Sequence, residues 1–147
     1  MTDTFDLERF VTAQEPVFAT VLTELKAGQK RTHWMWFVFP QLRGLGSSSM
    51  ATFFGVGSLF EARAYLKHPV LGLRLKLCTQ TVLDVPGRSA HQIFGSPDDL
   101  KLHSSMTLFA EAADDPASVF HLALERWWNG AADGKTLQLL SAGNRRR

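Results

Sequence analysis

The sequence predicts an all-α fold, a single compact multi-helix domain over residues 5–141 with a short, disordered basic tail at 142–147. Three observations lead there. Apolar residues recur at three-and-four spacing through most of the chain. Several of these runs open on capping residues and close at glycine or proline, and alternation of apolar with polar residues, the mark of a half-buried strand, is almost absent. With 147 residues, 45% of them hydrophobic, and eleven phenylalanines and four tryptophans, the chain can build one core but not two.

Taken in order, Leu7, Phe10 and Val11, then Val17, Phe18, Val21, Leu22 and Leu25, mark a one-sided helix. It is interrupted at Pro16 and ended at Gly28. The run His33-Trp34-Met35-Trp36-Phe37-Val38-Phe39-Pro40-Gln41 is continuously apolar, so periodicity cannot assign it; its length favours a short helix, and its rings favour the centre of the core. Ser58-Leu59-Phe60-Glu61 has the form of a capping box for a helix that stops before Pro69. The next helix carries Leu71, Leu75, Cys78 and Val82 on one face until Pro86-Gly87. Ser96-Pro97-Asp98-Asp99 combines a cap, a proline and two acids near the positive end of a helix dipole, opening a helix to about Ala113. Asp115-Pro116 repeats the device for a helix ending near Asn129-Gly130, and Asp133 with Thr136 caps a last short one. Trp127 or Trp128 is expected to be buried against the N-terminal helix.

Composition narrows the function classes. No stretch approaches the ~20 apolar residues that span a bilayer, and the first residues are acidic where a signal peptide is basic. No membrane association is expected, and the expected location is the cytoplasm. The formal charge of +2 leans on Arg145-Arg146-Arg147, so charge gives little reason to expect nucleic-acid binding. The one cysteine, Cys78, rules out an internal disulfide and any multi-cysteine zinc pattern, and it falls on an apolar helix face. His33, His68, His91, His103 and His121 form no i, i+4 pair within a helix, and no metal site is expected. Nucleophile-elbow, phosphate-loop and dinucleotide fingerprints are missing, so no cofactor is expected. Among the acids, Glu15 and Asp133 are the least explained by capping, and Gln14, on an apolar face, needs partners for its amide.

Two segments carry candidate binding residues. Arg31 and His33 precede the aromatic run and Gln41 follows it, while Gly44, Gly46 and Ser47 form a turn whose backbone N–H groups suit an anion. On the helix after Pro97, Leu102, Met106, Phe109 and Ala113 form the core stripe, with Lys101, Ser104, Ser105 and Leu108 on a neighbouring face. Serine is a mediocre helix former, so the pair Ser104-Ser105 favours a use other than packing.

The blocks from His33 to Gly46, from Glu61 to Leu75 (Glu-Ala-Arg-Ala-Tyr-Leu-Lys-His-Pro-Val-Leu-Gly-Leu-Arg-Leu) and from Ile93 to Phe109 resemble the signatures of a bacterial family. That family is catalogued as a domain of unknown function and sometimes labelled calpastatin. The likeness extends from about Phe10 to Leu140 and includes Gly130, Asp133 and Thr136. It implies a compact helical fold and supplies no activity. His103 stands where an arginine or similar residue is expected and is assigned no role. Inhibitory calpastatin segments are disordered and rich in Lys, Glu and Pro, which this aromatic-rich chain is not, so the label is set aside. A fainter resemblance links Lys101 to Phe109, with Glu61-Ala62 and Leu71-Gly72, to helical proteins that cleave N-glycosidic bonds of ADP-ribose derivatives; it implies a phosphorylated sugar.

Two functions follow as expectations. The first is binding, or hydrolysis, of a small anionic ligand of the phosphorylated-ribose or nucleotide class. Its cleft would be lined by Trp34, Trp36, Gln41, Lys101, Ser104 and Ser105, with Arg31, His33, Gly44, Gly46, Ser47 and Asp133 around it. The second is a protein-interaction module without catalysis.

Overall fold

A computed structural model describes residues 3–145, with side chains described as far as residue 142. Its ten helices hold more than half of the residues: α1 (Glu8–Gln14), α2 (Phe18–Lys26), α3 (Met35–Val38), α4 (Ser49–Phe53), α5 (Leu59–Lys67), α6 (Leu71–Leu83), α7 (Ala90–Phe94), α8 (Asp98–Ala113), α9 (Val119–Trp128) and α10 (Gly134–Arg145). Extended pairing among the described residues is limited to one parallel bridge between Leu42 and Val56. None of these helices is long and apolar enough to cross a membrane.

The longest helix, α8, is the axis. It packs on α5, α7, α9 and α10, and burial therefore extends well beyond one stripe, taking in Ser104, Ser105, Thr107, Leu108 and Ala110 as well as Leu102, Met106 and Phe109. Around it runs a chain of ring contacts, Phe10 to Tyr65 to Phe109 to Phe120, with centroids 5.1, 5.2 and 5.8 Å apart. A second cluster joins Trp34, Phe39 and Phe94. The aromatic run thus folds as the short helix α3, with Met35, Phe37 and Val38 buried.

Several local expectations are corrected. Ser58 does accept from the Glu61 N–H, but the Glu61 carboxylate does not return to Ser58. It takes the Gly57 N–H at 3.0 Å and the Arg9 guanidinium at 2.8 Å, an ion pair with each side chain only 6% exposed. The helix after Asp115 begins three residues later than its signal, because Ser118 is the residue that accepts from the His121 N–H; Asp115 instead takes the Ala117 N–H in the preceding turn. Ser96 gives α8 no side-chain cap. Trp127 and Trp128 are half-buried away from the N-terminal helix: Trp127 donates to the Arg88 carbonyl and Trp128 stacks on His103, 4.3 Å between centroids. α10 continues to Arg145, into the region expected as tail, while Arg146 and Arg147 lie outside the described residues.

The junction of α5 and α6 is tight. A Cβ added to Gly72 would stand 2.1 Å from the Leu66 carbonyl oxygen, so the start of α6 rests directly on the end of α5. His68 helps to set that junction, its Nδ1 accepting the N–H groups of Val70 and Leu71.

Candidate functional site

Three polar centres, two buried at Gln14 and Glu24 and one half-buried at Asp133, account for much of the sequence's unusual polarity. Gln14 donates to the Phe37 carbonyl at 2.6 Å and to the Tyr65 hydroxyl at 3.2 Å, and its oxygen faces Arg74 Nη1 at 3.4 Å. Glu15 is ion-paired to the same Arg74, which explains the acid that capping did not. Glu24 accepts from the N–H groups of Arg31 and Thr32, from the Thr32 hydroxyl and from Trp34 Nε1. Burial alone would raise the Glu24 carboxyl. The hydrogen bonds from Thr32, Arg31 and Trp34 outweigh it and hold the pKa at about 2. Asp133 is the third centre: it takes the Thr136 N–H, the Thr136 hydroxyl and the single proton that Ser104 Oγ shares with the Leu100 carbonyl. Its own N–H donates to Thr107 at 2.8 Å. These bonds tie the start of α10 to the middle of α8.

The expected site residues divide accordingly. Trp34, 1% exposed and bonded to Glu24, lies in the core and cannot line an open cleft. Ser104 and Asp133 hold α8 and α10 together. Ser105 is wholly buried, and its Oγ is the one buried side-chain polar atom without a hydrogen-bond partner among the described residues. Arg31 and His33 are exposed; the Arg31 backbone serves Glu24. Gly44 has φ +105° and Ser47 is exposed, while a Cβ at Gly46 would stand 3.5 Å from Gln41 Nε2, so the Gln41 amide rests against that turn.

Trp36 and Lys101, 65 positions apart in sequence, do meet. The Lys101 ammonium lies 4.9 Å from the Trp36 ring centroid. It also faces Asp98 at 3.6 Å, beyond hydrogen-bond distance. The other oxygen of Asp98 belongs to Lys30, at 2.9 Å, and Lys30 also donates to the Thr32 carbonyl and lies over the Trp34 ring. Two lysines thus share one carboxylate. Lys30 is well bonded, whereas Lys101 finds no hydrogen-bond acceptor among the described residues. In the sequence Asp98 is explained by the helix dipole alone, and nothing in the local pattern connects residue 30 to residue 98.

Burial pushes the Cys78 thiol up to about 12, which leaves it protonated. No group of three or more His, Cys, Asp or Glu among the described residues is placed to hold a metal.

A family model described as a protein of unknown function, DUF1810, matches residues 4–140. The chain belongs to this family. No curated protein matches it. Among solved structures it is similar to the crystal structure of the conserved hypothetical protein Rv1873 from Mycobacterium tuberculosis, with 57% identity and a TM-score of 0.92, over 95% of this chain and 99% of that one. The family's fold is therefore all-helical, and its function is unassigned.

Proposed function

We propose that the surface where Trp36 meets Lys101 binds a small anionic ligand of the phosphorylated-ribose or nucleotide class. The observation that carries this reading is the Lys101 ammonium, held against the Trp36 ring with its three donors lacking an acceptor. A phosphate would supply that acceptor through charge-assisted bonds, and Trp36 would offer an apolar face to a base or sugar. Lys30 adds charge behind Asp98. Gln41 and the backbone of the 44–47 turn supply directed hydrogen bonds in this reading. The role is binding, and no catalytic step is assigned.

The test is thermal unfolding of the wild type, Lys101→Ala and Trp36→Ala proteins with ADP-ribose, AMP, ribose 5-phosphate or inorganic phosphate. A ligand at one hundred times its dissociation constant stabilises by about 2.7 kcal/mol. The reading expects such a shift for at least one organic phosphate, lost in both variants. It fails if none of the four moves the wild-type melting temperature, or if Lys101→Ala responds as the wild type does.

A further inference from the structure

Away from the Trp36–Lys101 surface, a groove of about 770 Å3 runs between α5, α6 and the junction of α8 with α9. Leu66, Leu77, Val119 and Phe120, with Ala112 and Ala113, give it an apolar lining. Its charged residues are unbalanced: Arg63 and Lys67 stand on α5 and Lys76 on α6, against the single carboxylate of Asp115. None of the three cations makes an ion pair or hydrogen bond among the described residues, whereas Arg9, Lys30 and Arg74 are all paired. The apolar surface also continues beyond the groove. On α6 the outward positions Leu73, Lys76, Leu77 and Gln80 fall at i, i+3, i+4 and i+7, with Leu73 70% exposed and Leu77 48% exposed. A helix normally turns such leucines inward; here the inward face is already filled by Leu71, Leu75, Cys78 and Val82.

We infer that this groove is the docking site for an acidic amphipathic helix of a partner protein. The apolar stripe of such a helix would cover Leu77, the half-buried Val119 and the outlying Leu73, and its flanking carboxylates would meet Arg63, Lys67 and Lys76. Length decides against a compact small anion. The stripe from residue 73 to 80 extends about 10 Å along α6 at 1.5 Å per residue, in addition to the width of the groove. A ligand seated on Val119 alone would leave Leu73 in water. Charge sets the sign of the partner, since a basic helix would place cations against three that already lack counterions.

The probe is a synthetic helix-stapled peptide with leucines at i, i+3, i+4 and i+7 and glutamates flanking them, labelled for fluorescence anisotropy. A scrambled peptide of the same composition and a lysine-for-glutamate version serve as controls. The stapled acidic peptide should bind the wild type and protect amides of α5, α6 and residues 112–120 from hydrogen exchange. The double variant Arg63→Glu, Lys76→Glu should weaken binding at least tenfold with little change in melting temperature, as both positions are exposed. Leu73→Ser should weaken it several-fold. Lys101→Ala should bind as the wild type does, which separates this site from the nucleotide reading. Equal binding of the scrambled or basic peptide overturns the inference. So does failure of the acidic peptide to bind while decanoate protects the same amides, which would make the groove a site for small amphipathic anions. A dimer in which those amides are already protected would assign the face to a second copy of the chain.

Discussion

Two tryptophans two residues apart have opposite fates. Trp34 is sealed: its N–H goes to Glu24, its ring carries the bonded Lys30, and Phe39 and Phe94 pack around it. Trp36 is half-buried and carries Lys101, a cation short of acceptors. Both sites pair an indole with a lysine, so residue type does not separate them. The difference lies in how many donors and acceptors are already satisfied. Saturation makes the first a structural anchor, whereas the second keeps a cation whose donors lack acceptors among the described residues.

The contrast is most exposed to failure at Glu24. Glu24→Ala leaves the buried Trp34 N–H and two backbone N–H groups without their acceptor, and should destabilise by about 3 kcal/mol or more in urea titration. Acid should act through the same group. The folded pKa of about 2 lies below the ordinary 4.5, so this stabilisation is fully present above pH 4.5 and is lost as pH falls through 2. The Glu24→Gln protein should show a flatter stability profile across that interval, and an unchanged profile would remove Glu24 from the argument. Gln14→Leu comes next, at about 2 kcal/mol, because the Tyr65 hydroxyl and Phe37 carbonyl would each lose a partner; a neutral result would mean that packing, not the amide, matters there. Ser105→Ala should change sign. Removing a buried hydroxyl without a partner is expected to stabilise by up to about 1 kcal/mol, and a loss of stability would reveal a bond to that hydroxyl. Lys101→Ala is the smallest, within about 0.5 kcal/mol of wild type in thermal melts, since its pairing with Asp98 is long and partly exposed. A large loss there would make Lys101 an anchor like Lys30 and would sink the contrast.

Helix positions were legible because they depend on short-range chemistry. Pro16, Pro69, Pro86 and Gly28 break the chain where the helices break, and the amide of Gln14 announced its buried partners by sitting on an apolar face. The capping box at Ser89 and Gln92 that opens α7 is a short-range pattern of the same kind. Long-range pairing was less accessible. Lys30 with Asp98, Arg9 with Glu61 and Arg126 with the carbonyls of Val82, Leu83 and Val85 join residues more than forty positions apart. No spacing rule connects them. The serines of α8 misled for a related reason: two hydroxyls beside a lysine resemble a polar face until α8 is seen to be surrounded by four other helices.

Gly72 has a consequence for how this surface could vary. The separation of α5 and α6, and with it the width between Lys67 and Lys76, is set by a hydrogen atom standing where every other residue has a carbon. Random mutagenesis scored for folded protein should therefore find position 72 as intolerant as the aromatic centre. The exposed residues on the groove rim should accept far more substitutions, so one helix pair joins a rigid demand to a permissive surface.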